Sequence, residues 1–121
     1  MLHVLDKQNS LLGNFVKEIR SVDIQNDPMR FRRNIERIAQ VMCYEISKSL
    51  NFKTEEVETP LGIAPTNVVA DKIVVASILR AGLAMHNGVL DFFDGAENCF
   101  VSAYRKYTDE SHFDIHVEYI A

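Results

Sequence analysis

The sequence predicts an α/β fold in which N-terminal helices and a β-hairpin arm lead into a mostly parallel sheet. Three observations predict it. The apolar run Lys72–Leu79 is bounded by loop residues, and such a run reads as a strand buried on both faces, the kind found mostly in parallel sheets covered by helices. Arg80-Ala81-Gly82 and a new amphipathic stretch follow at once, so the strand gives way to a helix. A second short β-favouring run, Cys99–Tyr104, repeats the arrangement and is followed by Arg105-Lys106.

Taken in order, residues 10–20 place Leu12, Phe15, Val16 and Ile19 at helical spacing, with Gly13 as a weak point, and predict a short amphipathic helix. A stronger helix follows Asn26-Asp27-Pro28. Asp27 can cap the free N–H groups, Pro28 suits the first turn, and Phe31, Ile35, Ile38, Met42 and Ile46 form one apolar stripe towards Leu50. Its other face carries Arg30, Arg32, Arg33 and Arg37, interrupted by Glu36 and Glu45, which reads as a solvated helix face rather than a nucleic-acid patch. From Lys53 to Asn67 the pattern alternates around Pro60-Leu61-Gly62, predicting a hairpin or arm of the kind that often makes an oligomer contact. Near the end, Phe113, Ile115, Val117 and Tyr119 alternate with His112, Asp114, His116 and Glu118, predicting a half-buried strand.

Composition narrows the function classes. The 121 residues suffice for one small domain, and 47% hydrophobic with 25% charged residues is ordinary for a globular protein. Thirteen Lys and Arg against 17 Asp and Glu give a formal charge of −4, which argues against a broad nucleic-acid footprint but leaves room for a local anion pocket. Cys43 and Cys99 have neither metal-like nor redox-like spacing and read as buried free thiols. No signal-peptide pattern opens the chain and no stretch approaches a membrane span, so a cytoplasmic protein without membrane partners is expected.

The chemistry-bearing candidates are Arg80 and Arg105. In a parallel sheet the carboxyl ends of the strands share one edge, where α/β proteins bind ligands, and a helix starting after Gly82 would aim its free N–H groups at the same place. A guanidinium there matches phosphate oxygens bidentately. The plain alternative is that each arginine simply meets solvent. Gly82, lacking a Cβ, would allow close backbone approach or a sharp turn into the helix. His86 reads as a packed or surface histidine rather than a catalytic one. His112 and His116, about 13 Å apart on a strand at roughly 3.3 Å per residue, cannot share one ion directly, although either could meet one with its acidic neighbour; no metal site is assigned.

The block Ile78-Leu-Arg-Ala-Gly-Leu-Ala-Met85, with Asn87-Gly88-Val89-Leu90 and then Tyr104-Arg105, resembles uracil phosphoribosyltransferase. Asp23-Ile24, Arg30-Phe31-Arg32 and Tyr44-Glu45 are similar to that family's N-terminal half in order and approximate spacing. The resemblance implies a phosphoribosyltransferase-type fold. It implies pyrimidine salvage, in which uracil and phosphoribosyl diphosphate give uridine monophosphate and diphosphate, with Mg2+ on the diphosphate. It also implies that Arg80 and Arg105 bind the diphosphate, and a homodimer or higher homo-oligomer is expected. Ser77 stands where many members have proline, Ala84 where proline or glycine is frequent, and Lys106-Tyr107 where a more acidic or polar pair is usual. The family's phosphoribosyl-binding loop, of Asp-Pro-Met-Leu-Ala-Thr-Gly-Gly-Ser type, has no counterpart here, nor does its uracil-recognising segment. Residues 1–121 are therefore expected to be the N-terminal part of one such domain, inactive alone. They divide into a helical region over 1–52, an arm over 53–67 and a partial α/β core over 68–121. The other readings are a nucleotide- or diphosphate-binding regulatory module and an oligomerisation fragment.

Overall fold

The computed structural model describes residues 2–109 and 112–120; the chain ends Met1 and Ala121, considered above, lie outside them. A 3-10 turn, Leu5–Lys7, precedes α1 (Leu12–Arg20) and α2 (Pro28–Ser47). The hairpin strands β1 (Phe52–Thr59) and β2 (Gly62–Val69) follow, and then β3 (Val74–Leu79), α3 (Leu83–Leu90), β4 (Glu97–Tyr107) and β5 (Phe113–Ile120).

The start of α2 follows from its sequence. Asp27 stays extended and its carboxylate accepts from the backbone N–H groups of Met29 and Arg30, both at 3.0 Å, while Pro28 occupies the first turn. The face that α2 buries is not the predicted stripe. Asn34, Ala39 and Cys43 are the buried positions, whereas Phe31, Met42 and Ile46 stay substantially exposed. Small side chains permit the closest helix approach, and α3 takes it. A Cβ on Gly88 would run into the backbone oxygen of Glu36 and come within 2.8 Å of Ala39 Cβ. The stripe residues Ile35, Ile38, Met42 and Ile46 instead line an open groove of about 750 Å3 with Leu12, Val16 and Ile19 of α1.

A polar clasp joins α1 to α2. Asn34, fully buried, donates through Nδ2 to Glu18 at 2.6 Å, and Arg37 donates to the Asn34 carbonyl oxygen at 3.3 Å. The Arg37 guanidinium lies 5.4 Å from the centre of the Phe15 ring, and Arg30 reaches Glu18 at 3.4 Å. Arg33 pairs with Glu36 at 2.7 Å. Three arginines of the helix face are thus engaged within the chain.

The hairpin forms as the alternation predicts, with Thr59 opposite Gly62 across Pro60-Leu61, and extends slightly beyond 53–67. Its base is closed by Asp71, whose carboxylate accepts from the Asn51 backbone at 2.8 Å and its side chain at 2.9 Å. Almost its whole length is exposed.

The second sheet has the order β3-β4-β5 and is parallel only in its first pair; β5 runs antiparallel to β4. Burial corrects two expectations. β3 alternates between half-buried and exposed residues instead of being buried on both faces, because α3 covers the face bearing Ser77, while Val74, Ala76 and Ile78 point away from it. β5 is exposed at all eight positions rather than half-buried, since among the described residues no helix packs on it. Cys99 is only half-buried; Cys43 is buried and both thiols are free, with burial pushing the Cys43 thiol above its ordinary pKa. No described helix is long and apolar enough to cross a membrane.

The clasp makes a pH dependence. The hydrogen bond from Asn34, and then Arg30 and Arg37, hold the Glu18 carboxyl below its ordinary pKa despite partial desolvation. A lowered folded pKa contributes stability above the unfolded value, lost as pH falls through the folded one. Denaturant midpoints measured from about pH 6 to 3 should therefore fall less steeply in Glu18→Gln than in the unaltered protein; parallel curves would show that the clasp does not respond to protonation.

Candidate functional site

The site is built where β3 ends and α3 begins. β3 closes at Leu79, opposite Ser102 in the parallel ladder, and the Leu79–Arg80 peptide bond is cis. The backbone then turns through three hydrogen bonds: Gly82 N–H to Ile78 O at 3.1 Å, Leu83 N–H to Arg80 O at 3.2 Å and His86 N–H to Gly82 O at 2.9 Å. Gly82 makes the turn possible, for a Cβ there would lie 2.8 Å from the Ile78 carbonyl oxygen. The N-terminus of α3 has no side-chain cap, so beyond the Leu83 N–H, which is taken by the Arg80 carbonyl oxygen, its first turn keeps donor capacity and positive partial charge.

Arg80 is exposed and, among the described residues, makes no ion pair or side-chain hydrogen bond. Arg105 stands differently from expectation. It does not follow a strand that stops at Tyr104 but lies inside β4, paired with Ile115 of β5, with its guanidinium 4.8 Å from the centre of the Phe113 ring. The apolar run ends at Tyr104, but the antiparallel ladder with β5 carries the strand on to Tyr107 after β3 has stopped. The backbone passes a register shift between Ser102 and Ala103 on the way. A hollow of about 660 Å3 is lined by Leu79, Ala81, Gly82, His86, Ala103 and Arg105 among others. Arg105 lines it; Arg80 leaves the strand beside it and does not. The larger groove between α1 and α2 is mostly apolar and offers no comparable strand-end geometry.

His86 is a packed histidine, 4% exposed. Its Nδ1 accepts from the Ser77 hydroxyl at 2.8 Å, its Nε2–H donates to the Asn98 carbonyl oxygen at 2.7 Å, and its ring lies 4.8 Å from that of Phe100. Of the packed and surface readings that the sequence left open for His86, the structure shows the packed one; Ser77 and Asn98 were missed as its partners, because their convergence depends on the parallel register that sets Val75 opposite Asn98.

Of the other histidines, His3 lines the groove between α1 and α2, and His112 and His116 lie beside and on β5. His112 contacts the Asp109 carboxylate at 2.9 Å, and the His116 ring lies 5.4 Å from that of Tyr104. The Tyr104 hydroxyl donates to Glu118 at 3.2 Å; local desolvation, then that carboxylate, push its pKa up. Among the described residues no group of three or more His, Cys, Asp or Glu side chains could hold a metal ion.

Comparison with known proteins places the chain in a family. The family model described as uracil phosphoribosyltransferase matches residues 7–118. The chain belongs to the uracil phosphoribosyltransferase family. A uracil phosphoribosyltransferase of Porphyromonas gingivalis is 59% identical over 117 residues, covering 97% of this chain and 54% of the relative. One of Methanothermobacter thermautotrophicus is 38% identical over 122 residues, covering 99% and 54%. The solved structure of the AQ2163 protein from Aquifex aeolicus superposes with a TM-score of 0.77 at 25% identity, over 93% of this chain and 52% of that one. The chain thus spans about half the length of the curated relatives it matches.

Proposed function

We propose that this chain contributes the leaving-group half of a uracil phosphoribosyltransferase site, with Arg80 and Arg105 binding the diphosphate of phosphoribosyl diphosphate. The observation that carries the reading is the unpaired Arg80 guanidinium at the carboxyl end of a parallel strand, directly before the uncapped N-terminus of α3. Family membership supports it, as does Arg105 lining the adjacent hollow. The residues form the N-terminal part, 1–121, of a single phosphoribosyltransferase-like domain working in the cytoplasm.

In the reaction the bond from ribose C1 to diphosphate oxygen breaks, a bond from C1 to uracil nitrogen forms, the nitrogen's proton leaves, and uridine monophosphate and diphosphate result. Negative charge grows on the departing diphosphate as its bond lengthens. Guanidinium groups brought to that position on substrate binding stabilise the charge through charge-assisted hydrogen bonds. Mg2+ enters on the diphosphate as part of the substrate: the side chains at this site are cationic or neutral and do not fit a protein-held metal. Uracil is recognised by groups outside these residues.

Each arginine contact contributes about 1.5–3 kcal/mol. Arg80→Ala in the full-length protein should lower kcat/KM for phosphoribosyl diphosphate roughly ten- to hundred-fold. Unchanged steady-state kinetics would remove Arg80 from the site.

The exposed arm formed by β1 and β2 supports self-association, with apolar side chains such as Val57 and Ile63 standing in solvent at 40% and 67% exposure. Ile63→Glu in the full-length protein should raise the monomer fraction in sedimentation velocity. An unaltered sedimentation profile would exclude the arm from the interface.

A further inference from the structure

We propose that Ser77, His86 and Asn98 form a hydrogen-bonded brace that fixes the Arg80 loop, making them positioning residues for diphosphate recognition. The inference rests on the reading of Arg80 given above. Its basis is where the three side chains sit around the loop. Ser77 lies on β3 before Arg80, His86 lies in the first part of α3 after it, and their 2.8 Å hydrogen bond closes the chain segment that contains Arg80-Ala81-Gly82. The 2.7 Å bond from His86 to Asn98 ties the same imidazole to β4, the strand that carries Arg105. One buried ring therefore references the loop to both strands of the parallel pair.

The chemistry of the contact goes beyond filling space. An apolar side chain would pack against Phe100 equally well, whereas an imidazole engaged at both ring nitrogens holds its partners in a directional arrangement. The Asn98 carbonyl oxygen, which can only accept, places a proton on Nε2, and the Ser77 hydroxyl, which can donate or accept, adapts to Nδ1. Meanwhile Arg80, at the centre of the braced segment, has no side-chain partner among the described residues to orient it. Its long side chain must be ordered when an anion binds, and a fixed backbone beneath it reduces how much remains to be ordered. Loosening the brace lets the start of α3 shift against the end of β3, and the guanidinium loses its aim without losing its charge.

The test is a double-mutant cycle read by titration calorimetry, with phosphoribosyl diphosphate and Mg2+ added to the full-length protein. Ser77→Ala and Asn98→Ala should each raise Kd about three- to tenfold, the range of a single neutral hydrogen bond. Ser77→Thr, which keeps the hydroxyl, should restore the affinity. In an Arg80→Ala background Ser77→Ala should cause no further loss, because the brace acts through that arginine. If Ser77→Ala weakens binding by the same factor with or without Arg80, or leaves Kd unchanged while Arg80→Ala raises it, the brace proposal is overturned and the assignment of Arg80 stands. If Arg80→Ala itself leaves Kd unchanged, that assignment fails and the brace falls with it. Should Ser77→Ala not fold, as judged by its urea transition, the same cycle is completed with Asn98→Ala on the exposed edge of the contact.

Discussion

The seating of α3 between α2 and the β3–β4 pair is the constraint from which the rest of the structure follows. On one side Gly88 lets the helix backbone lie against Glu36 and Ala39 of α2, an approach that one added methyl group would prevent. On the other side His86 is bonded to Ser77 and Asn98 and stacked near Phe100. A helix held on both flanks cannot slide. The end of β3, the turn through Gly82 and the backbone under Arg80 are consequently fixed relative to both strands.

Away from the helices the chain is open. The face of β3 bearing Val74 and Ile78 is exposed, Ile78 at 62%, as are all positions of β5 and most of the hairpin. An apolar groove separates the stripe of α2 from α1. Among the described residues the buried positions lie on the helices: Leu12 of α1, Asn34, Ala39 and Cys43 of α2, and His86 and Gly88 of α3. Charge follows the same division. Arg30 and Arg33 are consumed in local ion pairs on the helices, whereas Arg80 is left unpaired among the described residues.

Local signals were enough for the helices, the hairpin and the strand before Arg80, because Asp27-Pro28 capping, the alternation around Pro60 and an apolar run each act within a few residues. Burial was less legible. The stripe of α2 read as its core face, yet Asn34, Ala39 and Cys43 are what the fold buries, since close approach to α3 favours small side chains over large ones. The length of β4 also escaped a local reading: pairing with the next strand, β5, which the apolar run itself does not mark, carries it past Tyr104 and places Arg105 within the strand. At the site Arg80 and Gly82 were visible in the sequence, while the partners of His86 depend on strand register. Resemblance to the family was legible over most of the chain, from Asp23-Ile24 through the block around Arg80 to Tyr104-Arg105, and the family match covers residues 7–118.

The central claim is that Arg80, just past the end of β3, and Arg105 of β4 engage one diphosphate. A crystal structure of the full-length protein with phosphoribosyl diphosphate and Mg2+ bound tests it most directly. The account predicts both guanidinium groups within hydrogen-bonding distance of the diphosphate oxygens, with the Arg80 loop backbone and the contacts of His86 as described. A diphosphate bound elsewhere, with Arg80 turned to solvent and Arg105 still against Phe113, would contradict it.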